Sequence, residues 1–591
     1  MLYIRLLALF AIVAFTAARA DWDVSELGAT GDGETDDTAV FQRALDEAAA
    51  AGGGIVQAPA GRYRISSSIT IPRAVTLQGV FRTPPTDRGG SPLRLDGTVL
   101  LAYANRGNAS GDPFIRLGGD MATLAGVIIH YPEWSRDDVP PVPYPPAIAA
   151  DGVNDVSVLD TLIVNAYEGI HFERTARFIV RNVFGYPSYR GLYVDACYDI
   201  GRVENCHFWP FGVVYNPKDP YCLWVNTEGV AFEFARTDWQ YVLNTFCFGY
   251  GVGYKFSETK NGSCNGNFLG IGADSCRRAV LVEECQAPGL LITNGEFVGR
   301  WESVDSVCIE IAESSSDGKV SLANCSFWGP IDRCVWLRTP KTQFTATATH
   351  FRDFDNHGRG APAIQLDTGK AIIQGNTFGE HGTHVLVGAD VQSAIIMGNQ
   401  ANGGLIVENG AGDRAQMVAN EKSPVEWDEK ALSHYRVRIG EPGDNPYVRG
   451  WYKPEKGGAW PEPGARMRWS RAESALKLPV TPGRRYAITL AINAPQHAIM
   501  PEAGLFLGET RIASLPQRAG LASISGEFTA GEGEWETLVL RVNGWVPAQV
   551  ETGSDDKRTL GIALHEVTMR QTGAADEVFD ANRGGWLAGP K

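Results

Sequence analysis

The stretch that decides the fold is GATGDGETDDTAVFQRALDEAAAAGGGIVQAPAGRYRI, residues 28–65, in which one short helix precedes a series of strands. Asp36 or Asp37 can cap the start of this helix, and Gly52 to Gly54 end it. Its apolar side is formed by Ala39, Val40, Ala44, Leu45 and Ala48. A stack of β-coils exposes the apolar interior of its first coil, and a helix of this kind can cover that interior.

A loose repeat of strand, Asn, Phe and second strand runs from about residue 150 to residue 415. The Asn residues recur at 23 residues or a longer interval, at Asn182, Asn205, Asn244, Asn267, Asn294, Asn324, Asn376 and Asn399. Short strands at this period predict a solenoid in which equal side chains form columns. We expect Asn to form the tight bend of each coil, because it tolerates the left-handed conformation. A second column should stack inside the coils: Phe184, Phe246, Phe268, Phe297, Phe327 and Phe378.

The residues from Gly28 to Gly54, with VQAPAGRYRI and VTLQG after them, resemble the amino-terminal signature of the pectate lyase superfamily. This superfamily includes polygalacturonase-like and rhamnogalacturonase-like enzymes. The resemblance implies an all-β fold, a right-handed parallel β-helix capped by the N-terminal helix, over residues 21–415. It does not imply one reaction, because the family contains hydrolases, lyases, epimerases and phage tailspike proteins.

After Asn420 the repeats stop, and the composition changes. Segments between residues 430 and 575 alternate apolar and polar residues between Pro and Gly turns, as the strands of a β-sandwich do. We expect a jelly-roll-like β-sandwich domain over these residues. It resembles the galactose-binding-like modules that are appended to carbohydrate-active enzymes, which would make it a carbohydrate-binding module.

The remaining features concern location and partners. Residues 1–20 have the charged start, apolar run and small-residue end of a signal peptide, so we expect cleavage near Ala20 and a secreted or periplasmic protein. A formal net charge of -15 argues against nucleic acid or a membrane as partner, and favours a polysaccharide or oligosaccharide. We expect a monomer or a homotrimer. The ten cysteines lie between Cys197 and Cys334, where disulfides and a reduced ladder are both open.

The candidate site follows from the alternation of inward and outward residues in the second strand of each coil. The predicted catalytic residues are Glu168, His171, Glu173, Tyr193, Asp195, Glu228, Glu233 and Lys255, and the predicted substrate-binding residues are Tyr189, Arg190, Trp336 and Arg338. Asn226-Thr227-Glu228 is similar to the Asn-Thr-Asp motif of polygalacturonases, with Glu in place of Asp. No metal site is predicted. The same charges could instead only keep an exposed strand face soluble.

Three functions fit such a face. The first is a glycoside hydrolase, because carboxylates on coils about 4.8 Å apart reach the separations that glycosidases use. The second is a polysaccharide lyase, in which Lys255, Arg190 or Arg278 is the base and Tyr189 or Tyr193 the proton donor, and for which calcium could neutralise a uronate. The third is a non-catalytic glycan-binding solenoid. We expect the hydrolase, with no cofactor.

Overall fold

The computed structural model describes residues 22–82, 84–85, 94–301, 305–312, 318–379, 381–401, 403–423, 425–458 and 460–587. The expected signal peptide, residues 1–20, lies outside them. The described chain is mostly strand, and its helices are Thr38–Ala50, Pro220–Glu228, Glu429–Ser433 and Pro547–Val550, with 3-10 turns at Gly412–Arg414, Asn445–Tyr447 and Gln496–Ala498. Within the described residues, no helix has the length and apolar character needed to cross a membrane.

The first part of the chain is a parallel β-helix, as predicted, with three sheets that each stack one strand per coil. The first sheet contains Trp22–Asp23, Gly54–Gln57, Val75–Gln78, Thr123–Ala125, Ser157–Val164, Ile179–Gly185, Arg202–Glu204, Thr237–Leu243, Cys264–Leu269, Leu290–Thr293, Lys319–Ala323, Gln343–Thr347 and Ala415–Val418. The second contains Asp32–Asp36, Gly61–Ile65, Thr98–Ala102, Ile128–His130, His207–Phe208, Phe246–Phe248, Gly272–Asp274, Glu296–Val298, Ser326–Trp328, His350–Phe351, Thr377–Phe378 and Gln400–Ala401.

The third sheet is the one that carries the predicted site. It contains Ile69–Ile71, Ile115–Leu117, Ile148–Asp151, Glu168–Glu173, Arg190–Asp195, Val230–Phe234, Val252–Phe256, Arg278–Val282, Val307–Ile311, Arg333–Leu337 and Val407–Asn409. Some strands bend from one sheet into the next. Ser157–Val164 and Ile179–Gly185 pass from the first sheet to the second, and Ile364–Gln374 and Val385–Met397 pass from the third to the first.

The helix Thr38–Ala50 covers the first coil, as the opening stretch predicts. It buries Phe41, Ala44, Leu45 and Ala48 completely, whereas Ala39, assigned to the apolar side from the sequence, is exposed. Phe41 takes its place because positions 41, 44, 45 and 48 share one face of a helix.

The start of this helix is held by two neighbouring carboxylates. Asp36 accepts a 3.1 Å hydrogen bond from the Thr38 N–H. Asp37 occupies the N-cap position, but its side chain accepts bonds from the Thr30 and Gly31 N–H groups instead. Asp37 therefore ties the preceding loop to the helix.

The predicted Asn bends are present at Asn182, Asn205, Asn244, Asn294 and Asn324, all with positive φ. Stacked amides bond each other, with 2.8 Å from Asn205 Nδ2 to Asn182 Oδ1 and 2.8 Å from Asn324 Nδ2 to Asn294 Oδ1. Asn267, Asn376 and Asn399 are exceptions. Asn267 lies inside the strand Cys264–Leu269, and the bend that follows is Gly270. Asn376 and Asn399 are buried, and the positive φ lies at the residues before them, Gly375 and Gly398.

The interior is filled by columns of apolar side chains. Phe297, Phe327, Phe351 and Phe378 stack with ring centroids 5.0 to 5.2 Å apart. Phe184 and Phe246, predicted to lie inside, share a row with His207 on the outer side of the second sheet.

All ten cysteines are buried free thiols, so the reduced ladder is the form that the structure shows.

The last part of the chain folds as mainly antiparallel sheets packed on a core of their own, with one parallel pair between His434–Arg438 and Phe579–Asp580. Its strands are His434–Arg438, Val448–Trp451, Glu455–Gly458, Ala465–Pro479, Arg485–Ala494, Gly504–Leu507, Thr510–Ser514, Gly520–Thr529, Trp535–Arg541, Ala563–Gln571, Phe579–Asp580 and Gly585–Trp586. The long strand Ala465–Pro479 pairs with strands of both layers. The all-β sandwich is confirmed, whereas its likeness to galactose-binding modules stays a prediction.

Candidate active site

The outer side of the third sheet carries one continuous row of functional side chains. Strand register places these residues side by side in the order His171, Tyr193, Glu233, Lys255, Leu281, Glu310, Trp336 and Gln365. Successive members stand about 4.8 Å apart, the spacing of neighbouring strands. Five of the predicted site residues therefore share this row: His171, Tyr193, Glu233, Lys255 and Trp336.

The first group in this row joins a histidine to a buried carboxylate. His171 Nδ1 lies 2.9 Å from Glu168 Oε1, and the Glu168 side chain is only 10% exposed. Burial by itself raises the pKa of Glu168, but the hydrogen bond from His171 and the charge of Arg190 outweigh it, and the pKa lies below its ordinary value. Glu168 is therefore ionised at neutral pH. An anionic partner at Nδ1 leaves the lone pair of the neutral His171 ring on Nε2.

Arg190 connects two carboxylates across the row. Its Nη2 donates to Glu168 Oε1 at 2.9 Å, and its Nη1 donates to Glu233 Oε2 at 3.1 Å. Glu233 also accepts a 2.9 Å hydrogen bond from Ser257 and lies 3.6 Å from Lys255 Nζ. Two cations thus stand among the carboxylates at the centre of the site.

Tyr193 lies between the histidine and the arginine. Its ring centroid is 4.7 Å from that of His171. The Arg190 guanidinium lies 4.1 Å from the Tyr193 ring centroid. Burial raises the pKa of Tyr193, and the nearby charge of Asp195 raises it further. Tyr193 therefore carries its proton at neutral pH and can give it to a basic atom.

Two predicted carboxylates, Glu173 and Asp195, occupy the next outward position of the same strands. Both oxygens of Asp195 are in use, because it accepts bonds from the backbone N–H groups of Ala196 and Arg236 and from the side chains of Thr259 and Asn261. Asp195 thereby holds the loop beside the site. Glu173 pairs with Arg174 at 2.9 Å near the edge.

An aromatic surface adjoins the first group. Tyr189 is 38% exposed and stacks on Tyr167, with ring centroids 5.0 Å apart and an interplanar angle of 9°. Trp224, from the helix Pro220–Glu228, lies 6.4 Å from Tyr167. Glu228 is the last residue of that helix and is exposed. The structure therefore groups Tyr189 with the site, whereas it places Glu228 outside the network around Arg190.

A second group of charges lies further along the row. Glu310 pairs with Arg278 and with Arg338, the latter at 2.8 Å. Trp336 donates from Nε1 to Asp367 at 2.7 Å, and the Arg338 guanidinium lies 4.8 Å from its ring centroid. Trp336 and Arg338 thus adjoin each other as the alternation predicts, but two strands lie between Glu310 and Glu233.

Sequence reasoning missed Tyr167, Trp224 and Ser257. Tyr167 directly precedes Glu168, so its place next to a predicted catalytic residue was the available signal. Trp224 lies near the site because the helix Pro220–Glu228 carries it there. Ser257 lies there because it directly follows the strand Val252–Phe256. In the part of the chain that the structure describes, no group of three or more His, Cys, Asp or Glu side chains could hold a metal ion.

Comparison with known proteins finds similarity over parts of the chain. Residues 22–105 match the family model "Rhamnogalacturonase A/epimerase, pectate lyase-like". Mannuronan C5-epimerase AlgE1 of Azotobacter vinelandii is 30% identical over 199 residues, which cover 31% of this chain and 13% of AlgE1. AlgE5 of the same organism is 59% identical over 117 residues, 18% of this chain and 12% of AlgE5.

Among solved structures, the A-module of AlgE6 from the same organism aligns with 69% of this chain and 100% of that module. The sequence identity is 16% and the TM-score 0.37. The stretches matched to AlgE1 and AlgE5 span only about an eighth of those relatives.

Proposed function

We propose that the chain acts on a polysaccharide that contains uronic acid. The proposal takes it as a pectate lyase-like parallel β-helix protein, which the family match over residues 22–105 supports. The reaction begins with removal of the proton next to the uronate carboxylate, in the groove above the third sheet. The observation that carries the proposal is His171 held by the ionised Glu168 and packed against the protonated Tyr193.

The proton transfers follow from these contacts. His171 Nε2 takes the proton from C5 of the sugar, and the electron pair of that C–H bond moves into the carboxylate as an enolate. In an elimination, the C4–O bond then breaks and the leaving oxygen takes the Tyr193 proton. In an epimerisation, Tyr193 instead gives its proton to C5 from the opposite face. Both outcomes use the same first step.

Arg190 and Lys255 supply the positive charge that the enolate needs. The Arg190 side chain is 16% exposed and that of Lys255 is 24% exposed, so both reach solvent beside Tyr193 and Glu233. Preorganised cations in a partly dehydrated groove stabilise developing negative charge more than they would in water. The stacked rings of Tyr167 and Tyr189 offer a flat apolar surface for the next sugar unit.

Hydrolysis was expected from the sequence, but this site favours proton abstraction. A glycosidase requires one carboxyl that keeps its proton at working pH. The pKa of Glu168 is lowered, which removes the carboxyl nearest His171 from that role. The names of the matched relatives agree with a uronate, because mannuronan is a polymer of a uronic acid.

The test incubates the full-length protein with mannuronan, polygalacturonate and neutral polysaccharides in D2O. We expect deuterium at C5 of a uronate by NMR if the reaction is an epimerisation, or absorbance from a 4,5-unsaturated uronate if it is an elimination. New reducing ends without deuterium or absorbance would establish hydrolysis. Retention on a polysaccharide gel without any reaction would establish a binding protein. Either result would overturn the proposal.

The decisive variant is Tyr193→Phe, which removes only the hydroxyl. The loss of a positioned proton donor should lower the rate about 10²- to 10⁴-fold. Tyr241→Phe is the matched control, because Tyr241 is exposed on the first sheet, and it should keep the wild-type rate. Equal rates in the two variants would remove Tyr193 from the mechanism.

A further inference from the structure

One coil of the β-helix interrupts two columns at the same level. At the bend between the first and second sheets, Gly270 occupies the column position that Asn244 has on the preceding coil and Asn294 on the following coil. In the outer row of the second sheet, Gly272 stands between Phe246 and Glu296. Both rows therefore lack a side chain on the coil that contains residues 270–274.

The missing side chains leave a cleft of about 370 Å³ on the second sheet. Its floor is the backbone from Gly270 to Asp274, and its walls stand on the coils before and after. The functional side chains around it are Asn244, Phe246, Asp274, Asn294, Glu296 and Trp328. Strands two coils apart are separated by about 9.6 Å, which admits one sugar ring between side chains.

The walls have the chemistry of a sugar site. Trp328 is 39% exposed, and its indole N–H donates to Glu296 Oε1 at 2.8 Å, which holds the ring in place. Burial, together with the charge of Glu296, raises the pKa of Asp274 to about 6. Asn244 has no amide to pair with at Gly270. Asn294 accepts from Asn324 through Oδ1, and its side-chain N–H groups face no acceptor among the described residues.

We propose that this cleft binds a neutral pyranose unit of a glycan, with the Trp328 ring against the C–H face of the sugar. The hydroxyl groups donate to Glu296 and Asp274 and accept from Asn294. The sugar is neutral because the described residues that line the cleft include two carboxylates and no Lys, Arg or His. This distinguishes the cleft from the groove above the third sheet, where Arg190 and Lys255 stand.

The site does not depend on the proposed reaction, because the two groups of residues lie on different sheets. Its function is to hold a glycan while the third sheet acts on another unit or chain. Aromatic stacking with a few hydrogen bonds is a common way to bind a sugar.

The test measures binding of neutral glucose, galactose and mannose hexasaccharides to the full-length protein by calorimetry. The variant is Gly270→Asn, which restores the interrupted Asn column and fills the cleft. Asn tolerates the φ of +66° at this position, and the nearest atom to its Cβ, at 2.7 Å, is Oδ1 of the Asn244 side chain, which can rotate away. We expect at least one hexasaccharide to bind, and its affinity to fall at least tenfold in the variant with unchanged activity on uronate.

A second variant, Trp328→Ala, keeps the proposal falsifiable if Gly270→Asn does not fold. It should also lose tenfold or more in affinity. Trp239→Ala, which removes a still more exposed tryptophan from the first sheet, should not. Absence of any neutral-sugar binding in the wild type would overturn the proposal, and so would binding that survives in Trp328→Ala. Loss of uronate binding instead, or a change of oligomeric state by sedimentation, would assign the cleft to another ligand or to a second copy.

Discussion

At the scale of single residues, the site depends on one buried carboxylate that serves two partners. Glu168 accepts from His171 and from Arg190, so it orients the histidine and places the guanidinium beside Tyr193. The close approach of the backbones supports this arrangement. A Cβ on Gly169, the residue after Glu168, would lie 2.3 Å from the Gly191 carbonyl oxygen. Only glycine allows the two strands to bring Glu168 and Arg190 together at this level.

Glu168→Gln tests this role. The amide keeps the shape but loses the charge, so we expect activity to fall at least tenfold and the free energy of unfolding at pH 7 to fall by about 1–3 kcal/mol. The pKa of Glu168 is lowered in the folded protein, so its stabilisation is present above the ordinary value of 4.5 and is lost as the pH falls through the folded value. Denaturant titrations should therefore show the two proteins converging in stability as the pH falls below 4.5. A constant difference from pH 7 to pH 3 would contradict this account.

At the scale of elements, the helix Thr38–Ala50 closes the end of the β-helix. Phe41, Leu45 and Ala48 are fully buried, and the Phe41 ring packs edge-on against Tyr63 of the first coils at 5.0 Å. Without this helix, the interior faces of the strands Gly54–Gln57 and Ile69–Ile71 would meet water. The helix thus stabilises the coils by covering their interior and not by its own propensity.

Leu45→Ala should lower the free energy of unfolding by about 2–5 kcal/mol, because it leaves a cavity in a packed core. Glu47→Ala, on the exposed side of the same helix, should change it by less than about 0.5 kcal/mol. Chemical denaturation with a parallel activity assay checks both. Similar losses in the two variants would contradict the account that the helix stabilises the coils by covering their interior.

At the scale of the whole molecule, the β-helix and the sandwich are held against each other by specific contacts. Asn445 accepts a 2.8 Å hydrogen bond from the Gly382 N–H, and Lys453 Nζ lies 3.1 Å from Asp353 Oδ1. The Tyr452 ring packs on Gly358, where a Cβ would lie 2.2 Å from Cε1 of that ring. The two cores therefore meet over a closely packed, partly polar surface.

Gly358→Ala should separate the unfolding of the two cores, because its methyl group pushes Tyr452 away. Gly360→Ala is the matched control, since Gly360 also has positive φ but nothing lies within 4 Å of its Cβ position. Both variants carry the same backbone strain, so the difference between them isolates the contact. Calorimetry should resolve two transitions for Gly358→Ala and not for Gly360→Ala. Identical thermograms would mean that Tyr452 does not couple the two parts.

Much of the fold could be predicted because repeated patterns have only one physical solution. Asn and strand alternation at a fixed interval require stacked coils, and one amphipathic helix ahead of them requires a cap. The outer row from His171 to Gln365 follows, since alternation within a strand and stacking between strands place it. The two phenylalanines at 184 and 246 were assigned to the wrong side because apolar residues outside the second sheet are covered by other segments, which the repeat does not show.

By itself, the sequence determined the coil architecture, the cap and the row of exposed side chains. These depend on the periodicity within each strand and on the stacking of equivalent positions in successive coils. Only the tertiary structure decided which of those side chains act together. It joined Glu168 to His171 and Arg190, committed Asp195 to a loop, and left a cleft where Gly270 and Gly272 meet on one coil. The reason is that hydrogen bonds and clefts depend on the distances between chain segments far apart in sequence, which no local pattern contains.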